Sequence, residues 1–246
     1  MPLTTRPMSA NSPRAQFGYT PRMASFPITL APRILLRPRE VFARIASNQP
    51  SAGAVFFQYA LWLGLAPPLS AFVGARMFGW LAGAEPLTVS SALMLQVSIA
   101  YYILLLCGFV FAGLFLRWML PTYSDSDGVA AAGDSDSGSD NTVTNKTANT
   151  TGACFALVAA AGTPLMAGGV AHLYPSLAFN MAVFIPAFLW SVFLFYRGVP
   201  VALNTGAERG MLLTCSMVGA LLVMVAGFLG IITLLWVNGF GPPLGI

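Results

Sequence analysis

The side chains equipped for chemistry in this sequence are few and scattered. His172 is the single histidine, beside Leu173-Tyr174-Pro175 at the end of an apolar run, a position that suits an interfacial imidazole better than a base or metal ligand. Asp134, Asp136 and Asp140 surround Gly138 in loose imitation of a calcium loop, but the glycine is out of place and no glutamate closes the loop. Cys107, Cys154 and Cys215 are odd in number, form no C-x-x-C pair and fall in or beside apolar segments, so they read as small buried hydrophobes. No H-E-x-x-H, G-x-S-x-G, Walker A loop or paired membrane carboxylates occur. The sequence thus offers no catalytic, cofactor-binding or metal-binding residues, and no enzyme is expected.

Polar residues inside the apolar runs include Gln58, Gln96, Ser98, Thr163 and Asn180. An ion-coupled transporter usually places an ionisable group at depth, whereas uncharged groups of this kind more often hydrogen-bond one helix to another. A small permease or channel subunit is therefore the competing reading, kept open by the prolines that interrupt the apolar runs.

The elements that must carry these residues follow from composition. Of 246 residues, 57% are hydrophobic and 8% charged. Roughly 45–50% and 25% are usual in soluble domains, which points to an all-α, polytopic transmembrane helix bundle. Five apolar segments, roughly Ala54–Val73, Ser90–Leu116, Ala153–Leu173, Leu177–Tyr196 and Met211–Val237, each approach the ~20 residues a span requires, and none contains Asp, Glu, Lys or Arg. Between them the charges are lopsided. Seven Arg precede residue 45, Arg117 and Lys146 follow the second segment and Arg197 and Arg209 flank the last turn, so eleven cations fall on one side and Arg76 alone on the other. Five spans with the N-terminus cytoplasmic and the C-terminus non-cytoplasmic are expected.

Residues 1–33, rich in Pro, Ser, Thr and Arg, read as a disordered cytoplasmic tail in which either Met1 or Met23 is a plausible start. Residues 34–50 read as an amphipathic interfacial helix opened by Pro38. Glu40 and Arg44 would pair on one face, Val41, Phe42 and Ile45 would lie on the other, and Arg37, Arg39 and Arg44 would meet headgroups. The membrane domain spans 54–240, with a disordered Asp/Ser-rich cytoplasmic insertion at 123–152; the glycosylation patterns at Asn145 and Asn149 would then be on the wrong side for that modification. Pro67-Pro68, Pro164 and Pro186 should kink their spans. The stripe Cys215, Gly219, Val223 and Gly227, with Ala226 and Gly230 beside it, suggests a fifth span packed centrally or against a partner. Tyr196–Asn204 reads as a water-exposed hairpin turning at Gly198 and Pro200, with Glu208 and Arg209 behind it.

Certain of these residues have a familiar arrangement. Thr163-Pro164-Leu165, Gly169 and Leu173-Tyr174-Pro175, then Tyr196-x-Gly198-Val199-Pro200 and Asn204, preceded by Ala66-Pro67, Phe72-Val73-Gly74 and Gly79-Trp80, resemble the Yip1 family and most closely its bacterial inner-membrane branch. The resemblance covers about residues 35–120 and 153–240; the N-terminal tail and the Asp/Ser-rich insertion depart from it. It implies five helices with a cytoplasmic N-terminus. Eukaryotic relatives are associated with vesicle traffic and small prenylated GTPases, and bacterial members have no settled activity.

A non-enzymatic, membrane-organising or partner-recruiting scaffold is the function expected. Its contacts would be the lipid bilayer, protein partners at the cytoplasmic face or through helix packing, and further copies of itself. No basic run interleaved with aromatics suggests nucleic acid. The Arg-rich, Lys-poor composition suggests GC-rich coding and, together with the bacterial-type motifs of the resemblance, favours a bacterial inner membrane, with endoplasmic reticulum or Golgi as the alternative address.

Overall fold

A computed structural model of the chain describes residues 25–79, 90–123 and 140–238. Two short helices, α1 (Ala31–Leu36) and α2 (Pro38–Asn48), precede five helices long and apolar enough to cross a membrane. These spans are Ala52–Phe78, Ser91–Tyr123, Thr150–Leu173, Leu177–Ala202 and Ala207–Ile231. Among the described residues the architecture is wholly helical.

The third span is the centre of the bundle. Its most apolar window is 61% buried, against 33% or less in the other four. Small side chains explain why: Ala153, Cys154, Ala156, Ala159, Ala160 and Ala161 are all buried, so neighbouring backbones can come close. Gly113 of the second span lies under the Phe155 ring, where an added Cβ would stand 2.8 Å from Cε2.

The first span is built in pieces. A short helix runs into a π-turn at Phe56–Ala60, resumes at Leu61–Gly64, breaks at Leu65 and restarts at Ala66–Phe78. Pro67 and Pro68 do not kink a continuous helix, as the sequence suggested; they occupy the first turn of a new one, where a backbone N–H has no intrahelical partner anyway. At the break the Leu65 N–H turns to Trp62 O, and the Leu61 carbonyl is taken instead by the Tyr102 hydroxyl of the second span, at 2.9 Å.

Pro164 stays inside a helix. It removes the donor for the Ala160 carbonyl, and the carbonyls on either side are met by side chains: Thr163 Oγ1 donates to Ala159 O at 2.8 Å, and the Ser191 hydroxyl of the fourth span donates to Ala161 O. Because the Thr163 hydrogen is committed to Ala159, the Tyr59 hydroxyl must be the donor in its 2.6 Å bond to Thr163 Oγ1. That bond ties the first span to the third within the apolar core.

Several expectations are corrected. The tail is ordered from Ser25: Phe26, Leu30 and Ile34 are buried, the Phe26 N–H donates to Gln58 Oε1 at 3.1 Å, and the Phe26 ring meets Tyr59 edge-on at 5.1 Å. Their four-residue spacing is one face of a helix, a signal hidden among the Pro and Arg residues around them. The third-span helix begins at Asp140, so the end of the 123–152 stretch continues that helix instead of being irregular. Helix growth from an existing segment fixes few dihedrals per bond gained, which favours such extension. Residues 124–139, with Asp134, Asp136 and Gly138, and residues 1–24, with Met23, lie outside the described residues.

The fifth span is peripheral. It packs through Leu213, Thr214 and Met217, while Cys215, Gly219 and Val223 are exposed and a Cβ at Gly219, Gly227 or Gly230 would meet nothing within 4 Å. The small-residue stripe therefore faces away from the bundle, on the side opposite the larger apolar residues that do the packing. Cys107 and Cys215 are exposed, and of the three thiols only Cys154 is buried.

Candidate interaction face

The two ends of the bundle differ in chemistry. At one end lie Arg76, Ser91, His172, Tyr174 and Asn180; at the other, α2, the end of the second span, the start of the third and the turn between the fourth and fifth.

The first end is held by a small polar cluster. Asn180 Nδ2 donates to the carbonyls of Tyr174 (3.2 Å) and Ser176 (2.9 Å), so its Oδ1 is the acceptor facing His172 Nδ1 at 2.9 Å. His172 then carries its proton on Nδ1 and turns Nε2 toward the Tyr101 hydroxyl, 3.5 Å away. The arrangement pins the connection between the third and fourth spans. Replacing Asn180 by leucine should cost about 2 kcal/mol, because His172 Nδ1 and the Tyr174 carbonyl lose their bonds at once while the Ser176 carbonyl keeps only the backbone N–H of residue 180; a melting temperature in detergent unchanged within a degree would refute that role. Of the other polar residues, Gln58 and Thr163 also bond between elements, whereas Gln96 is exposed on the second span.

At the second end α2 lies across the bundle. Val41, Phe42 and Ile45 are at most 4% exposed, but protein covers them, not lipid: Phe42 packs into the notch left by Gly198 of the fourth span, beside Leu157 of the third. A Cβ at Gly198 would stand 2.5 Å from Leu157 Cδ1 and 2.7 Å from Phe42 Cε1. The α2 helix is thus a fixed crossbar of the domain and not a helix adrift on the membrane surface. Glu40 pairs with Arg37 at 3.5 Å, across three residues, and not with Arg44.

The expected turn at Gly198 and Pro200 is also corrected. The fourth span stays helical through both and ends at Ala202; the chain reverses at Leu203–Gly206, with Asn204 in the left-handed region at φ 52°. Val199 is fully buried, and Pro200 sits in the final turn, where it withdraws the donor for the Tyr196 carbonyl only two residues before the helix ends. Asparagine tolerates the left-handed conformation better than most residues, which locates the reversal there.

Among the described residues, two sizeable clefts open on this face. One, of about 370 Å³, is lined by Ala46, Gln49, Thr150, Leu203 and Asn204 among others. Gln49 at φ 39° ends α2 and Asn204 follows the end of the fourth span, so the carbonyl ends of two helices border it. The other cleft, of about 270 Å³, lies between α2 and the fourth span and is lined by Leu36, Arg37, Pro38, Arg39, Glu40, Phe42, Phe193 and Arg197.

The Yip1 domain model matches residues 33–229, from α1 into the fifth span. The chain belongs to the Yip1 domain family. Two curated relatives are similar to it: Inner membrane protein YohC of Escherichia coli strain K12, 23% identical over 186 residues that make up 75% of this chain and 84% of the relative, and its counterpart in Escherichia coli O6:H1, with the same identity and coverage. No solved structure is significantly similar. This Yip1 chain is a multi-pass protein of the bacterial inner-membrane branch, as the motifs implied.

The fold brings those motifs into contact. Pro67 of the first span rests on Gly169 of the third, where an added Cβ would be 2.5 Å from Pro67 Cβ, and Gly74 lies against the carbonyl oxygens of His172 and Leu173. Gly210 lies under Pro200, with 3.1 Å to an added Cβ. The Yip1 residues are thus largely points of close helix approach.

Proposed function

We propose that this Yip1 chain is a non-enzymatic, membrane-organising scaffold that recruits a protein partner at the end carrying α2 and the turn between the fourth and fifth spans. The observation that carries this reading is the rigid crossbar. With its apolar face consumed by Gly198 and Leu157, α2 presents a fixed polar outer face beside the cleft between Gln49 and Asn204. Two helix C-termini with outward carbonyls favour a partner that offers hydrogen-bond donors or cations.

The charge count would place this face in the cytoplasm. Reporters fused after Asn204 should then be cytoplasmic and one fused at Ile246 should not; a cytoplasmic C-terminus would overturn the orientation. Cross-linking in cells and purification in mild detergent should recover one protein reproducibly, and Gln49→Arg or Asn204→Lys should reduce its recovery at least fivefold while Gln96→Leu leaves it intact.

The broken first span supports a second reading, a small permease, because interrupted helices are common at transport sites. Solute flux into liposomes that is abolished by Gln58→Leu or Asn180→Leu and retained by Gln49→Arg would favour the permease and sink the scaffold.

A further inference from the structure

We propose that the cleft between α2 and the fourth span binds the headgroup of one anionic phospholipid, with its phosphodiester on Arg39 and Arg197. Depth is the first argument. Arg197 lies twenty residues beyond Leu177 in one continuous helix; at ~1.5 Å per residue that is about 30 Å, the thickness of the hydrocarbon layer. A guanidinium at this level stands among headgroups.

Charge is the second. Three arginines and one glutamate line the cleft, a net of plus two, and Glu40 is engaged by Arg37 at 3.5 Å. Among the described residues no carboxylate pairs with Arg39 or Arg197. Guanidinium forks match phosphate oxygens, and two of them, one from α2 and one from the fourth span, converge here from different elements. The Arg197 guanidinium carbon lies 5.7 Å from the Phe193 ring centroid, which restrains the side chain toward the cleft.

The third argument is the path for an acyl chain. Trp190, Phe193 and Arg197 follow at three- and four-residue spacing on one helix face; Trp190 and Phe193 are both 42% exposed, with their rings 5.2 Å apart. This exposed aromatic strip leads from the cleft along the membrane-facing side of the fourth span, and Leu36 at the rim is 82% exposed. A free phosphate would use the guanidinia and leave the strip bare. A diacyl lipid uses both.

The test is lipid binding to the purified, delipidated full chain in mild detergent, read by native mass spectrometry and by thermal shift. One phosphatidylglycerol per chain should bind at least tenfold more tightly than phosphatidylcholine. Arg39→Gln with Arg197→Gln should weaken it at least tenfold, while Arg33→Gln, outside the cleft, should leave it unchanged. Arg197→Lys, which keeps the charge but loses the fork, should weaken binding by a smaller factor, and Arg39→Gln alone supplies an exposed single change if the double variant is not monodisperse. Equal binding of the two lipids, an undiminished double or Arg39→Gln variant, or an equal loss on Arg33→Gln would overturn the proposal. Displacement of phosphatidylglycerol by millimolar inorganic phosphate would reassign the cleft to the free anion and overturn it as well.

Discussion

Gly198→Val is expected to detach α2 from the bundle. The new side chain would need the space held by Leu157 Cδ1 and the Phe42 ring, 2.5 and 2.7 Å from the position of its Cβ, before the two valine methyls are counted. Overpacking of this kind costs about 1–3 kcal/mol where neighbours can give, and more where they cannot; with Leu157 and Phe42 both fully buried, at least the upper figure applies. The melting temperature in detergent should fall by several degrees, and limited proteolysis should open the chain near α2 first. The obstructing atoms belong to side chains, so the damage is repairable. Gly198→Ala combined with Phe42→Leu should recover part of the loss, a coupling that a double-mutant cycle reads directly. Additive losses from the two changes would show that Phe42 does not fill the Gly198 notch.

Gly74→Val is expected to be at least as damaging and not repairable in this way. A Cβ at Gly74 meets the carbonyl oxygen of His172 and stands 2.5 Å from that of Leu173, and these are backbone atoms of the 3-10 turn Gly169–Leu173. No truncation of a neighbour clears backbone. The first span would have to move off the third, breaking the Pro67–Gly169 contact, for an expected loss of about 3 kcal/mol or more. Even Gly74→Ala should lower the yield of monodisperse protein, whereas Gly219→Ala, with nothing within 4 Å of the added Cβ, should behave as wild type. Equal stability of the Gly74 and Gly219 variants would show that the first and third spans do not meet as described.

Much of the candidate face was legible in the residues. The apolar face of α2 is Val41, Phe42 and Ile45 as its periodicity indicates, and Arg197 with the region around Asn204 shares one end of the bundle with α2. What sequence could not supply was the partner of that apolar face, because an amphipathic pattern looks the same whether lipid or protein covers it. Gly198 shows the same limit. A glycine two residues before a proline reads as a turn, yet here it is the floor of a notch inside a helix, and only the Phe42 ring above it reveals the difference.

The sequence by itself determined the solvent and the count. Five uncharged runs of span length leave few alternatives to a helical membrane bundle, because a backbone crossing lipid must satisfy its own hydrogen bonds. Tertiary structure alone decided which span is central, which way the stripe on the fifth faces, and which hydroxyls meet the carbonyls beside Pro164 and at the Leu65 break. In an apolar solvent hydrophobicity no longer separates inside from outside, so those choices fall to close contact between small residues and to single hydroxyls such as Tyr59, Tyr102 and Ser191. Their partners lie 30 to 104 residues away along the chain, beyond the reach of any local pattern.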